Sequence, residues 1–393
     1  YQEGHCSNAR VGYNTGNNRF TPEVGVELQM KIILVSGIYP PDVGGPATFV
    51  PQLAAAFSSR GNKVKVLTLS DVVFKNEKPE MIPLIRLPRK LPLPIRFALT
   101  VSVVASYSII GYRIFANGLH EECGIALFLT GGKGVAKIVG DPVWERAVNR
   151  ASTNLGIQEF NKSSLNWKNW LQRRLLTFSL NRFNSVITPS EELVSLVKNW
   201  DVKPNVIWIP NGVTIKQEVN VVKSIDVITV SRLVAWKNVE VLVSAAKEYG
   251  FSLYVVGDGP EIDKLATLSE GNKNIALMGR LMQSEIDDLL LRSRIFALIS
   301  EYEGLSFSLL QAMSFGLPVV VSNTSGNSSV VSKSKNGLIV NSKSSQEVGA
   351  ALLSLLNDKD KLNSFSQNSR LSVEESFSIN LCLEKTIREV IAA

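Results

Sequence analysis

Residues 300–318 combine a carboxylate, a glycine and a serine with the start of a helix, in an order suited to binding phosphate and hydroxyl groups. An apolar run ends, Glu303 and Gly304 follow, and a helix that begins near Ser306 would stop at a Gly-Leu-Pro turn. Such a helix start turns unpaired N–H groups and a positive dipole end outward. Gln311 lies about two turns along the same face as Glu303. The pattern predicts either a buried strand and capped helix, or a site for sugar hydroxyls beside a diphosphate.

Two cations follow a second apolar run, at residues 225–230. Arg232 and Lys237 are five residues apart at the end of this predicted strand. An arginine binds a diphosphate with its guanidinium fork, and a lysine binds it as a point charge. The spacing predicts a diphosphate clamp, with two solvated surface cations as the alternative.

A glycine-rich loop follows the first predicted strand, at residues 31–36, and precedes a predicted helix. Its adjacent Gly44 and Gly45 allow the backbone to approach a ligand closely, and the helix start behind them can face a phosphate. The loop lacks the Gly-x-Gly-x-x-Gly spacing of dinucleotide-binding proteins. It therefore favours a phosphate-containing ligand other than a dinucleotide.

These stretches resemble the signature of family-4 retaining glycosyltransferases, which have the GT-B fold. Residues 303–306 match the first half of that signature, and 312–313 with 316–318 match its continuation. The family has a second glutamate where this chain has Gln311. An amide still bonds to ribose hydroxyls but carries no charge. On this basis, Gln311→Glu is expected to keep the fold and strengthen nucleotide binding.

The resemblance implies a nucleotide-diphosphate sugar as donor substrate, and no metal or other cofactor. Arg232 and Lys237 would neutralise the leaving diphosphate, and Glu303 would hold the donor sugar. Gly259 lies in a turn like the family's Gly-x-Gly-Pro, and Arg280 ends a segment like the one that meets the base. The implied donor-binding residues are Gly44, Gly45, Gly259, Arg280, Gly304, Leu305, Ser306 and Gln311.

An acceptor-side carboxylate is predicted just after an apolar run at 136–139. Asp141 ends this run and is expected to project into the cleft, where many relatives have a His-Asp pair but this chain has Gly140. Asp141 or Glu145 would orient the acceptor hydroxyl, and a helix N-cap is the alternative role for Asp141. The predicted catalytic residues are therefore Glu303, Lys237, Arg232 and Asp141.

Strands and helices alternate from residue 31 onward, which predicts an α/β protein with two doubly wound, Rossmann-like domains facing a central cleft. The predicted N-terminal acceptor-side domain spans 30–210 and the C-terminal donor domain 211–375. The resemblance implies that the last helix, 376–393, crosses back to the first domain. Residues 1–29 lack apolar periodicity and are interpreted as a disordered extension.

Two apolar runs in the first half are assigned to secondary-structure elements. Residues 126–129 are interpreted as a strand, and 96–114 as a helix. The apolar part of that helix has 16 residues, from Phe97 to Tyr112, against the roughly 20 that span a bilayer. A helix buried in the core is the preferred interpretation, and a helix at a membrane interface is the alternative.

Charge is distributed unevenly along the chain. Residues 30–210 carry 22 Lys and Arg against 12 Asp and Glu, whereas 211–393 carry 18 against 20. The stretch 160–190 has no acidic residue and interleaves cations with Trp167 and Trp170. Basic and aromatic residues together suit an anionic membrane surface, with a solvated helix face as the alternative. No zinc-finger, RNA-recognition or helix-turn-helix signature supports nucleic-acid binding.

The scarcity of histidine and cysteine narrows the function classes. Two histidines and three widely spaced cysteines argue against a metallohydrolase, a Ser-His-Asp hydrolase and a disulfide framework. The expected location is the cytoplasm, with peripheral attachment at the cytoplasmic membrane face.

The sequence thus predicts a retaining glycosyltransferase of polysaccharide or glycolipid synthesis, with a glycan or lipid-linked acceptor. The alternatives are a non-catalytic module that binds a nucleotide sugar or a membrane, and another GT-B enzyme such as a sugar-nucleotide epimerase.

Overall fold

The computed structural model describes residues 29–42, 44–71, 82–324 and 326–393. The extension predicted for 1–29 lies, except for Gln29, outside the described residues. The remainder forms two parallel β-sheets with helices on both faces, which confirms the predicted α/β class and the two doubly wound units.

The first sheet has the strand order β3-β2-β1-β4-β5-β6-β7, with every pair parallel. Its strands are β1 (Lys31–Ser36), β2 (Lys63–Ser70), β3 (Leu84–Pro88), β4 (Arg113–Asn117), β5 (Gly134–Lys137), β6 (Ser185–Thr188) and β7 (Asn205–Trp208). The helices that connect these strands are α1 (Gly45–Ser58), α2 (Leu93–Ile109), α3 (His120–Thr130), α4 (Pro142–Asn149), α5 (Ile157–Lys162), α6 (Trp167–Leu180) and α7 (Glu191–Lys198).

The second sheet has the order β10-β9-β8-β11-β12-β13, again with parallel pairs. Its strands are β8 (Ile225–Val230), β9 (Leu253–Val256), β10 (Ile275–Gly279), β11 (Ser293–Leu298), β12 (Val319–Ser322) and β13 (Gly337–Val340). The remaining helices are α8 (Val239–Tyr249), α9 (Ile262–Ser269), α10 (Gln283–Arg292), α11 (Phe307–Ser314), α12 (Asn327–Ser334), α13 (Ser345–Leu356), α14 (Lys359–Ser372) and α15 (Ile379–Ala392). Short 3-10 and π-helical segments occupy Ala235–Lys237 and Val373–Phe377.

Alternating side chains of β1 show why the first sheet is covered on both faces. Ile33 and Val35 belong to one buried apolar cluster, and Ile32 and Leu34 belong to another. Strands buried on both sides have continuous apolar sequences, as parallel sheets require.

The last helix joins the two units. Leu383, Ile387 and Val390 of α15 are buried in the same cluster as Phe49 of α1. The Arg113 guanidinium of β4 also donates to the carbonyl of Val390 over 2.9 Å. The C-terminal helix therefore packs on the first sheet, although the chain enters it from the second unit.

Two predicted elements of the first half are wrong. The apolar run at 126–129 lies within helix α3, and the helix predicted for 96–114 ends at Ile109, so that 113–117 form strand β4. Gly111 and Gly131 both have positive φ, at +85° and +64°, and each stands between a helix and the strand that follows it. Short apolar runs do not distinguish strand from helix, which accounts for both errors.

The preferred core interpretation of the second helix is also wrong. Helix α2 buries only Thr100, Val104 and Ser108, and it exposes Leu93 and Ile109 by 62% and 73%. It lies on the surface of the first unit, with most of its apolar side chains in contact with solvent.

Candidate functional site

The order of the second sheet brings the predicted cation Lys237 and the predicted carboxylate Glu303 together. Strands β8 and β11 are parallel neighbours, at the point where the direction of strand addition reverses. Loops at such a switch point form a crevice beside the carboxyl ends of the strands. The loop after β8 carries Arg232 and Lys237, and the loop after β11 carries Glu303. The Lys237 ammonium contacts the Glu303 carboxylate, with both side chains about 15% exposed (14% and 16%).

Arg232 is exposed and makes no ion pair within the described ranges, so its guanidinium is available to an anion. The loop that carries it is held by the neighbouring glycine turn. A Cβ on Gly259 would lie 2.2 Å from the carbonyl oxygen of Leu233, and the Leu233 N–H donates to Asp258 over 2.9 Å. Gly259 therefore allows close packing of two loops, and its contact with the donor stays a prediction.

The start of helix α11 is capped by Ser306, whose hydroxyl accepts from the Leu309 N–H over 3.4 Å. The Ser306 N–H itself donates to the side chain of Asn327 over 3.0 Å. This N–H is thus unavailable to a diphosphate, in contrast to the prediction. The Phe307 and Ser308 N–H groups have no acceptor in the described part of the chain, so they are the donors that remain at this helix end.

Leu305 has a structural position beside this cap. Its side chain is buried, and its carbonyl oxygen accepts from the side chain of Asn211 over 2.8 Å. Asn211 comes from the segment between the two sheets, and Asn327 begins α12. Neither asparagine was predicted, because their spacing from residues 303–306 exists only in the fold.

Glycines allow the first unit to approach the start of α11. A Cβ on Gly45 would lie 2.7 Å from the ring of Phe307, and one on Gly304 would lie 2.2 Å from the carbonyl oxygen of Val139. Gly44 immediately precedes α1 at this contact. Arg280 reaches across as well, since its guanidinium donates to the Pro41 carbonyl over 3.3 Å. The glycine-rich loop, the helix start and the cations therefore border one cleft.

Asp141 does not project into this cleft. Its side chain is fully buried, and one carboxylate oxygen accepts from the N–H groups of Val143 and Trp144 at the start of α4. The other oxygen accepts from Asn161 over 2.9 Å and from Arg173 over 2.5 Å. The acceptor-side role predicted for Asp141 is wrong, because both oxygens are occupied in an N-cap and a buried ion pair.

Glu145 instead faces the cleft from the first turn of α4. A Cβ on Gly140 would lie 2.4 Å from a Glu145 carboxylate oxygen and 3.5 Å from the Tyr302 hydroxyl. The rings of Trp144 and Tyr302 meet edge to face at 5.3 Å between centroids. Burial, together with the charges of Asp141 and Glu303, raises the pKa of Glu145 to about 7.

Gln311 lies on α11 as predicted, but its amide is engaged. Its NH2 group donates to Asp287 of α10 over 2.7 Å, and Lys216 pairs with the same carboxylate at 2.6 Å. A glutamate at this position would face a like charge. The gain in nucleotide affinity expected from Gln311→Glu stays a prediction, and it would come with a cost in stability.

An interdomain cavity of about 320 Å³ lies beside this site. It shares Leu305 with the α11 start and is otherwise lined mainly by residues of α7, α12, α14 and the segment after α14, together with Trp208 of β7. In the described ranges, no group of three His, Cys, Asp or Glu residues is arranged to hold a metal ion.

Comparison with known proteins shows that residues 213–372 match the model of a family described as "Glycosyl transferases group 1". The chain is 25% identical over 218 residues to a Staphylococcus aureus poly(ribitol-phosphate) α-N-acetylglucosaminyltransferase, which covers 52% of this chain and 43% of that protein. It is 32% identical over 129 residues to an Escherichia coli UDP-Gal:α-D-GlcNAc-diphosphoundecaprenol α-1,3-galactosyltransferase, which covers 32% and 33%. The chain thus aligns with less than half the length of these two relatives.

Solved structures match nearly the whole chain. Sucrose-phosphate synthase from Thermosynechococcus elongatus has a TM-score of 0.76 at 19% identity, covering 93% of this chain and all of that one. Anabaena HepE with UDP and glucose has a TM-score of 0.75 at 19% identity, with the same coverage. WaaG, a glycosyltransferase of lipopolysaccharide biosynthesis, has a TM-score of 0.70 at 14% identity, covering 92% and 100%. These likenesses confirm the predicted GT-B fold. Residues 213–372 therefore match the group 1 glycosyl transferase model, and the chain as a whole has the GT-B fold.

Proposed function

We propose that this chain is a retaining glycosyltransferase that moves a sugar from a nucleotide-diphosphate donor to an acceptor hydroxyl in polysaccharide or glycolipid synthesis. The observation that carries the proposal is the meeting of Lys237 and Glu303 at the switch point of the second sheet. The glycine-rich loop of the first unit and the start of α11 border the same cleft. No metal or other cofactor is part of the proposed reaction.

The proposed chemistry depends mainly on stabilising the leaving diphosphate. Lys237 and Arg232 supply positive charge, and the Phe307 and Ser308 N–H groups supply donors at a helix end. Glu303 then contacts the donor sugar, because a bound diphosphate competes with it for Lys237. Departure of the diphosphate and attack by the acceptor on the same face of the sugar retain the anomeric configuration.

The acceptor class is proposed from the names of the relatives. Two of them act on poly(ribitol phosphate) and on a sugar linked to diphosphoundecaprenol. A third, from Mycobacterium tuberculosis, is a GDP-mannose-dependent phosphatidylinositol monomannoside mannosyltransferase, 29% identical over 150 residues. A glycan or lipid-linked acceptor for this chain is consistent with all three.

An exposed surface of aromatic and basic residues on the first unit supports the proposal of a lipid-linked acceptor. Helix α6 has apolar side chains on its outer face as well as its inner face, since it buries Leu176 and Leu180 with Asn169 and Ser179 but exposes Trp167 and Trp170 by 71% and 51%. We call the following set the aromatic–basic surface: Phe128 and Leu129 of α3, Trp167, Lys168, Trp170, Leu171, Arg174, Leu175 and Phe178 of α6, and Arg182.

Cations and rings are paired throughout the aromatic–basic surface. The Arg182 guanidinium lies 4.7 Å from the Phe128 ring centroid and 4.5 Å from that of Phe178, which places the end of α3 against α6. Arg174 lies 5.3 Å from the Trp170 ring. Aromatic residues at headgroup depth with cations beside anionic lipids are typical of peripheral membrane proteins. No helix in the described ranges is long and apolar enough to cross a bilayer, and we propose peripheral attachment at the cytoplasmic face.

The test is a matrix of donors and acceptors. Purified protein is incubated with UDP-glucose, UDP-galactose, UDP-N-acetylglucosamine or GDP-mannose, each with phosphatidylinositol, a diphosphoundecaprenol-linked sugar or poly(ribitol phosphate). Transfer with retained anomeric configuration, read by NMR of the product, supports the proposal. A donor that binds without turnover would instead indicate a non-catalytic module, and a donor converted to another nucleotide sugar would indicate an epimerase.

A further inference from the structure

The first unit places one unengaged carboxylate in the cleft. Glu145 lies one turn after Asp141 on α4, and its carboxylate covers the space above Gly140, where a side chain would collide with it. Its carboxylate oxygens have no hydrogen-bond or ion-pair partner in the described residues. Since Asp141 is fully occupied in its N-cap and ion pair, Glu145 is the acceptor-side carboxylate that can still accept a proton.

The surroundings of Glu145 come from both units. From the second unit, Glu303 and Lys237 face it across the cleft, and the buried hydroxyl of Tyr302 has no hydrogen-bond partner in the described part of the chain. From its own helix, Asp141 and Arg146 act on its charge. The packing of Trp144 against both Trp236 and Tyr302 fixes α4 against the loops that carry Lys237 and Glu303.

We propose that Glu145 is the general base for the acceptor in the reaction proposed above, on which this inference rests. As the acceptor oxygen forms its bond to the anomeric carbon, the bond from that carbon to the phosphate oxygen breaks and its electron pair leaves with the nucleoside diphosphate. The hydroxyl proton passes to the Glu145 carboxylate. The carboxylic acid then releases this proton to solvent as the products depart.

The electrostatics of the site agree with this geometry. The buried position and the neighbouring negative charges of Asp141 and Glu303 raise the Glu145 pKa to about 7, while Lys237 and Arg146 act in the opposite direction. A base is most effective when its pKa lies near the working pH. Because the reactive form is the carboxylate, kcat/KM should rise as the pH increases through about 7.

The experiment compares the wild-type protein with Glu145→Gln and with Glu159→Gln, a control in which an exposed carboxylate of α5 is changed. The glutamine keeps the size of the side chain but cannot take a proton. We expect kcat for Glu145→Gln to fall by about 10²–10⁴-fold. The rise of kcat/KM near pH 7 should be lost from its pH profile, and its affinity for UDP should be unchanged. The control should keep the rate and the profile of the wild type. Glu145→Asp retains a base at a changed distance and should recover a pH-dependent limb.

A second measurement does not require turnover. A difference infrared titration, wild type minus Glu145→Gln, should show one carboxyl group that titrates near pH 7. If the wild type transfers sugar but Glu145→Gln has the same rate and pH profile, the general-base assignment is overturned while the proposed function stands. If Glu145→Gln does not fold, a Glu145→Asp protein with the kcat of the wild type overturns the assignment in the same way, because a base at a changed distance should lower kcat. A wild-type protein with no turnover on any donor overturns the proposed function and this inference with it.

Discussion

The side-chain amide of Gln311 donates a 2.7 Å hydrogen bond to the carboxylate of Asp287, which also pairs with Lys216 at 2.6 Å. This hydrogen bond links helices α10 and α11. The resembled family has a glutamate at the position of Gln311. The negative charge near this position comes from α10 in this chain.

Gln311→Glu should therefore destabilise the protein. The change removes one hydrogen bond and places two carboxylates side by side, and we expect the free energy of unfolding to fall by about 1–3 kcal/mol. Urea unfolding measures this loss. The double variant Gln311→Glu with Asp287→Asn should recover much of it, because an amide again meets a carboxylate. A single variant as stable as the wild type would show that Asp287 does not constrain Gln311.

Lys237→Ala should abolish most turnover if this ammonium stabilises the leaving diphosphate. Loss of one such charge typically costs about 3 kcal/mol or more of transition-state stabilisation, which is over a hundredfold in kcat. Initial rates of nucleoside-diphosphate release measure the effect. Lys264→Ala is the matched control, since Lys264 pairs with Glu240 on the exposed surface. Near-normal turnover of Lys237→Ala would remove Lys237 from the reaction.

Much of the fold could be predicted because the buried parallel strands have plain sequence signals. Strands β1 and β8 have the predicted bounds, at Lys31–Ser36 and Ile225–Val230. The errors lie where amphipathic order is absent, as in α3, whose apolar residues at 126–129 include the exposed Phe128 and Leu129. Exposed apolar residues and buried apolar residues look alike in a sequence, so the sequence alone predicts burial for both.

The site was predictable where strand order alone positions a residue. Glu303 and Lys237 meet because their loops follow adjacent parallel strands. The sequence could not show which of Asp141 and Glu145 lies on the acceptor side, because both follow β5. Only the start of α4 determines that the Asp141 carboxylate accepts hydrogen bonds from backbone N–H groups as the N-cap. The contact between Gln311 and Asp287 joins residues 24 positions apart, so no local pattern encodes it.

Lys137 gives a pH-dependent prediction about stability. Its side chain is 1% exposed, its ammonium lies 3.7 Å from the Phe49 ring centroid, and it has no hydrogen-bond partner in the described residues. Burial lowers the Lys137 pKa from 10.5 to about 8. Between these two pH values the unfolded chain binds the proton that the folded protein has released, so stability attributable to Lys137 rises with pH across this window.

Lys137→Met should therefore raise the free energy of unfolding at pH 7, on the order of 2 kcal/mol, because a buried charge is replaced by an apolar chain of similar length. The advantage should shrink as the pH rises from about 8 to 10.5. Denaturant unfolding at several pH values measures both effects. Lys133→Met, at an exposed position, is the control. A Lys137→Met protein less stable than the wild type at pH 7 would mean that the contact with Phe49 outweighs desolvation.

The aromatic–basic surface predicts salt-sensitive binding to anionic membranes. Vesicles of phosphatidylcholine with phosphatidylserine should co-sediment with the protein, and vesicles of phosphatidylcholine alone should bind it much less. Each cation near the surface contributes about 1 kcal/mol, so Lys168, Arg174 and Arg182 together suffice for reversible docking. Raising the salt concentration shortens the Debye length and should release the protein.

Two sets of substitutions separate the parts of this surface. The pair Trp167→Ser and Trp170→Ser should weaken binding at every salt concentration, because apolar insertion does not depend on screening. Replacing Lys168, Arg174 and Arg182 by alanine should remove most of the salt dependence and leave weak, lipid-independent binding. Leu371→Ser, at a 51% exposed position of the second unit, is the control and should bind as the wild type does. Equal binding of the wild type to neutral and anionic vesicles, or none to either, would assign these side chains to a contact with something other than an anionic membrane.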